Sequence, residues 1–167
     1  MTTEVPWLSA QEEHLWRAWS RLNNELSARL QRDLQHDAQL SLSDYEVLVH
    51  LTDTSEGRLR VSDLARLLQW GLSRVSHHVT RMQGRGLVER VVCVEDGRGA
   101  FVVVTPAGRV AIEQAAPGHV AAVRRLAIDA LDPEEVATLS GVFDKMLARL
   151  EEIEVDATKT SPGPAIL

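Results

Sequence analysis

The stretch Val61-Ser62-Asp63-Leu64-Ala65-Arg66-Leu67-Leu68-Gln69-Trp70-Gly71-Leu72-Ser73-Arg74-Val75-Ser76-His77-His78-Val79-Thr80-Arg81-Met82 decides the fold. Ser62 is placed to cap a short helix with Asp63 in its first turn, where the helix dipole favours an acid. Leu64, Ala65, Leu67 and Leu68 are its apolar content. Gln69, Trp70, Gly71 and Leu72 then read as a tight turn. Ser73 restarts a helix in which Val75, Val79 and Met82 recur at i, i+4 and i+7, and Gly84 and Gly86 end it. Downstream, residues 87–94 and 100–104 are β-branched runs flanking Glu95-Asp96-Gly97-Arg98-Gly99, a connection that reads as a hairpin.

Helix, turn, helix and hairpin is the winged helix-turn-helix order, in which the second helix lies in the major groove of DNA. With Val75, Val79 and Met82 turned inward, Arg74, Ser76, His77, His78, Thr80 and Arg81 remain for the polar face. These groups can address base edges and phosphates, and no acid lies between Ser73 and Arg85 to repel a duplex. A solvated helix face is the simpler structural alternative, and the acid-free run disfavours it. Arg98, between two glycines at the hairpin tip, suits a narrow, electronegative minor groove.

Charge is distributed to match. Over residues 58–109 nine arginines face four acids, Asp63, Glu89, Glu95 and Asp96, which leaves +5 there; the chain's formal −6 therefore puts −11 on the remainder. The lysines are only Lys145 and Lys159, so nearly all positive charge sits on guanidinium, the fork that pairs with phosphate and guanine edges.

Outside this basic third the pattern is helical. Ser9 with Glu12 has capping-box spacing, and Leu15, Trp19, Leu22, Leu26, Leu30 and Leu34 then form one apolar stripe. Ser43 with Glu46 repeats the spacing ahead of a second helix carrying Leu42, Tyr45, Leu48 and Leu51. Thr105-Pro106 and Asp132-Pro133 are two more helix starts. The first helix runs towards Leu131 with a kink or break near Pro117-Gly118, and the second carries Val136, Leu139, Val142, Phe143, Met146, Leu150 and Ile153. Expected divisions are an N-terminal dimerisation helix (9–40), a winged helix-turn-helix domain (41–109), C-terminal dimerisation helices (110–155) and a disordered tail (156–167). The fold class is thus mainly α with a small β-wing.

Three motif groups resemble the multiple antibiotic resistance regulator (MarR) family. They are Val61-Ser62-Asp63-Leu64-Ala65, then the run from Ser73 to Met82, then Arg85-Gly86-Leu87-Val88-Glu89-Arg90. The wing Asp96-Gly97-Arg98-Gly99 and the helix start Val104-Thr105-Pro106-Ala107-Gly108-Arg109 agree with it. The resemblance is specific over residues 42–109 and architectural elsewhere. It implies that Ser73, Arg74, Ser76, His77, Thr80 and Arg81 face the major groove, that Asp96 braces the wing and that Arg98 enters the minor groove. It also implies a homodimer joined through its first and last helices, a pseudo-palindromic operator, and a repressor that responds to a small aromatic or anionic effector. Trp16 is the candidate for lining an effector pocket; Trp19 shares the leucine stripe, where core packing is the better assignment, although it too stands near the pocket.

Other functions find less support. Cys93 is a candidate oxidation sensor, but buried packing is the ordinary role of such a residue. His77 and His78 are adjacent and lack the i, i+4 spacing of metal ligands on a helix, so neither a metal nor a cofactor is expected. No nucleophile elbow, metal-ligand motif or phosphate loop marks an enzyme. The alternative of a different class is a winged-helix module that docks a protein and not DNA, which calls for exposed apolar anchors in place of the arginine face. A single cysteine, no secretory leader and no apolar run long enough to span a bilayer make the cytoplasm the expected location and a membrane an unexpected partner.

Overall fold

The computed structural model describes the backbone of residues 6–92 and 99–160, and the side chains of these residues up to 153. The helices are α1 (Ala10–Ala38), α2 (Leu42–Thr52), α3 (Val61–Leu67), α4 (Leu72–Gly84), α5 (Pro106–Leu126) and α6 (Pro133–Thr160). The strands are β1 (Arg58–Arg60), β2 (Val88–Val92) and β3 (Ala100–Val104). The chain falls into two units, Met1–Val123 and Arg124–Leu167.

In the first unit, α3, the turn and α4 form the helix-turn-helix, followed by the two strands expected of a wing. The core gathers Leu34 of α1, Leu40 just after it, Val47, Leu48 and Leu51 of α2, Leu64 of α3, and Val75, Val79 and Met82 of α4. Val88 of β2 and Val102 of β3 close it from the sheet side. Burying each such side chain stabilises the fold by roughly 1.5–3 kcal/mol. The sheet has the order β1-β3-β2 and is antiparallel throughout, with Arg60 opposite Phe101 and Arg90 opposite Val102. Strand β1 is absent from the sequence expectations: three residues, Arg-Leu-Arg, are too short to show alternation, and pairing with β3 is what makes them a strand.

Several expected boundaries move. The capping box of α2 belongs to Ser41 and Asp44, not to Ser43 and Glu46, because Ser41 is the residue that stands just outside the helix with extended backbone. Ser62 does not cap α3; that helix begins at Val61, with Arg60 at the cap position and no side-chain cap bond. Likewise α4 begins at Leu72 behind Gly71, so Ser73 lies inside the first turn. Helix α5 passes through Pro117 without ending, and stops at Leu126 ahead of a 3-10 turn, Ile128–Ala130. Proline removes one backbone donor there, while Ala115 before it and Ala122 after it are both buried.

Both ends of the helix-turn-helix are fixed by the same C-terminal device. After α3, the Trp70 amide donates to the Ala65 carbonyl and the Gln69 amide to that of Arg66, with Gln69 at φ 53°. After α4, the Leu87 amide donates to Met82 and that of Gly86 to Gln83, with Gly86 at φ 74°. These paired bonds satisfy the last carbonyls of each helix and set the direction in which the chain leaves it. Thr105 then joins the sheet to α5: its hydroxyl donates to the Gly86 carbonyl at 2.6 Å and accepts from the Gly108 amide at 3.0 Å.

Helix α1 buries Leu30 and Leu34 but leaves Leu15, Trp16 and Leu22 exposed, and Trp19 is 36% exposed. Trp19 is thus not among the buried core residues described for this chain. In the second unit α6 starts on an Asp132 cap, whose Oδ1 accepts from the Glu134 and Glu135 amides at 2.8 Å. Its apolar positions Val136, Leu139, Val142, Phe143, Met146, Leu150 and Ile153 are exposed. The helix runs to Thr160, so it enters the segment expected as a tail; residues 161–167 lie outside the described residues. No helix among the described residues is long and apolar enough to cross a membrane.

Candidate nucleic-acid interface

Helix α4 divides its residues as a thirteen-residue amphipathic helix must. Val75, Val79 and Met82 are buried in the core, and Ser73, Arg74, His77, Thr80 and Arg81 are exposed, with Ser76 half-buried. Five of the six residues expected to face the major groove thus lie open on one helix, and no acid interrupts them. Thr80 donates its hydroxyl hydrogen to the Ser76 carbonyl at 2.9 Å, which leaves its oxygen as an outward acceptor.

Arg74 stacks on Trp70, its guanidinium carbon 4.0 Å from the ring centroid. The attraction of the cation for the ring face holds a long side chain that would otherwise sample many rotamers. Trp70 also meets His78, edge to face, at 5.3 Å between centroids. The turn that joins α3 to α4 therefore supports the helix side chains as well as reversing the chain.

His78 is the one polar residue of α4 that the sequence places on the wrong side. It is buried at 6% exposure, not outward with His77. Its Nε2 approaches Asp44 Oδ1 at 3.1 Å without making a directed hydrogen bond. Its Nδ1 lies 3.0 Å from Arg81 Nη2. Periodicity alone marked His78 as polar and hence exposed; what reverses this is a buried carboxylate from another helix.

That carboxylate, Asp44, was absent from the sequence candidates. Its Oδ2 accepts from Arg85 Nη1 at 2.7 Å and from the Ser41 amide at 2.9 Å, and its own amide is capped by the Ser41 hydroxyl at 3.0 Å. Arg85 also donates through Nη2 to the Gln39 carbonyl at 2.5 Å. Burial pushes the Asp44 carboxyl up, but the pairing with His78, the Ser41 amide and the Arg85 guanidinium outweigh it and hold the carboxyl well below the usual carboxylate range. One acid thereby ties the α1–α2 corner to the middle and the end of α4. The Ser41-x-x-Asp44 spacing was the signal that could have found it.

Two further arginines lie beside the sheet. Arg58 and Arg60 of β1 place their guanidinium carbons 4.8 and 5.1 Å from the Phe101 ring centroid. Asp96, Arg98 and Cys93 fall outside the described residues. Trp16 and Trp19 stand on α1 with ring centroids 6.5 Å apart. A small cavity of about 40 Å³ between α1 and α5 is lined by Asp33, Leu34, Asp37, Ala38, Gln114, Ala115, Gly118 and His119, neither tryptophan among them. No group of three or more His, Cys, Asp or Glu among the described residues could hold a metal ion.

Comparison with known proteins adds an independent line. A family model described as MarR family matches residues 38–99. No curated protein sequence matches the chain. Among solved structures the chain is similar to AbsC, a MarR family transcriptional regulator from Streptomyces coelicolor, with 38% identity, a TM-score of 0.83, and 89% of this chain and 99% of that one covered. It is also similar to Sco3205, a MarR family transcriptional regulator from the same organism solved in complex with DNA. There the identity is 34% and the TM-score 0.79, over 98% of this chain and 96% of that one. A mutant MarR from Escherichia coli complexed with operator DNA, at 24% identity and a TM-score of 0.72 over 80% of this chain and 93% of that one, shares the fold.

Proposed function

The chain belongs to the MarR family of transcriptional regulators, and from that premise we propose that it binds double-stranded DNA sequence-specifically, as a homodimer, through α4. The observation that carries the proposal is the open, acid-free face of Ser73, Arg74, His77, Thr80 and Arg81, backed by a helix side that is fully in the core. Arginine forks on such a face match guanine edges and phosphates. Ser76 stands at its margin, and Arg98, braced by Asp96, is assigned to the minor groove as part of the same proposal.

Exposed apolar positions on α1 and on α6 support the homodimer: each helix presents leucines and aromatic residues that a second copy of the chain would cover. Residues 9–40 and 110–155 then serve dimerisation and residues 41–109 serve DNA binding. A two-fold dimer sets its two α4 helices about 34 Å apart and selects a pseudo-palindrome with half-sites roughly 10 base pairs apart. Occupying such a site excludes other proteins from it, so repression is the assigned output. A small aromatic or anionic effector relieves it, its affinity difference between DNA-competent and incompetent forms being the whole of its leverage. The exposed ring pair Trp16–Trp19 supports an aromatic partner.

Titration of the purified protein against the duplex immediately upstream of its own coding sequence and against a scrambled duplex, at two salt concentrations, tests the proposal. A tight, sequence-dependent and salt-sensitive complex is expected. Absence of binding to either duplex at low salt would transfer the fold to protein docking.

A further inference from the structure

We propose that His78 is a positioning residue: a buried imidazole whose Nδ1 accepts from Arg81, with its Nε2 beside Asp44, and which thereby aims the Arg81 guanidinium outward from α4. The proposal rests on the DNA-binding role above and assigns a part within it to a residue that does not itself face the duplex. The chemistry of the two ring nitrogens carries it. A guanidinium has only N–H donors, so the nitrogen 3.0 Å from Arg81 Nη2, which is Nδ1, must accept and carry no proton. The ring proton then sits on Nε2, which faces Asp44 Oδ1 at 3.1 Å, where a carboxylate favours it.

Asp44 is held on its other oxygen by Arg85 and the Ser41 amide. Trp70 stands edge-on to the imidazole, with 5.3 Å between centroids. Arg81 directs one donor inward to Nδ1 and, being exposed, keeps the others outward. A side chain oriented before binding loses less rotamer entropy when it meets a base or phosphate.

Asparagine and glutamine at position 78 separate this role from simple support. Asparagine places an amide oxygen near the Nδ1 position and can still accept from Arg81, whereas glutamine reaches the Nε2 position and can still donate to Asp44. The probe is the duplex that the wild-type protein selects from a random-sequence pool. His78→Gln is expected to weaken binding about tenfold, a change of the size that one lost arginine–base contact gives. His78→Asn is expected to retain binding within about threefold, and the two variants are expected to become equal in an Arg81→Ala background.

Retention by His78→Gln with loss in His78→Asn would overturn the proposal and make His78 a mere partner of Asp44. A difference that persists in Arg81→Ala would overturn it too. The ¹⁵N spectrum of histidine-labelled wild type gives a readout independent of any variant's folding: an unprotonated Nδ1 and a protonated Nε2 are expected, and the opposite tautomer overturns the proposal. A wild type that selects no sequence would instead overturn DNA binding and, with it, this role.

Discussion

Arg74 carries its guanidinium over the indole of Trp70 at 4.0 Å, so a residue of the turn fixes a residue of the exposed α4 face. Cation–π contacts at such sites contribute roughly 0.5–1 kcal/mol. Trp70→Ala is therefore expected to weaken DNA binding by roughly twofold to fivefold, and Trp70→Phe by less, because a smaller ring face remains. Equal affinities for all three proteins in a direct titration would show that the stack does not prepare Arg74.

Asp44 is expected to govern acid stability. Its carboxyl is held below the ordinary range in the folded state, so the stabilisation it supplies is complete above the unfolded value of about 3.9 and is lost as pH falls below that value towards the lower folded one. Asp44→Asn removes a buried partner of Arg85 and His78, and because Arg85 stays partly in solvent the cost is expected to be about 1–3 kcal/mol near neutrality. Urea unfolding at several pH values checks both parts: the gap between wild type and variant should narrow below about pH 4. A gap unchanged across that window would mean that Asp44 is not held in its charged form by these partners.

Gly108 marks where α5 meets the start of the sheet. A Cβ there would lie 2.0 Å from the Leu87 carbonyl oxygen, and that atom is backbone. Gly108→Ala is expected to destabilise the fold by about 3 kcal/mol or more, since α5 or β2 must shift. Thermal unfolding that matches wild type would show that the two elements separate without penalty.

Gln69 takes the left-handed conformation, φ 53°, that ends α3. Glycine meets no Cβ penalty in that region, so Gln69→Gly is expected to stabilise by about 0.5–1 kcal/mol. Its side chain gives up only an exposed bond to the Arg66 carbonyl. A lower midpoint in urea would mean that this bond outweighs the backbone strain.

The helix-turn-helix was legible because its signals are local. Val75, Val79 and Met82 at helical spacing, the turn around Trp70 and Gly71, and the β-branched strands each point to one structure within a few residues. Ser9 and Glu12 likewise form the capping box their spacing implies. What eluded the sequence depends on partners far along the chain. His78 is buried because Asp44, from α2, meets it, and β1 exists because β3 lies beside it. Ser41 and Ser43 both offer helix-cap chemistry, and the choice falls to Ser41 because Asp44 is then placed to accept its amide while its other oxygen turns towards His78. Pro117 predicts a kink or break from local rules alone; the helix nonetheless continues through it, with Ala115 and Ala122 buried on either side.

The most direct test of the central role of α4 is the affinity of wild type and Arg74→Ala for the selected duplex, for its single-base variants and for a scrambled duplex at one salt concentration. The wild type is expected to prefer the selected duplex by at least about 10³-fold. Arg74→Ala should lose roughly 1–3 kcal/mol of discrimination at one base position while binding the scrambled duplex nearly as before. Equal binding of the selected and scrambled duplexes by the wild type would contradict sequence-specific recognition by this helix.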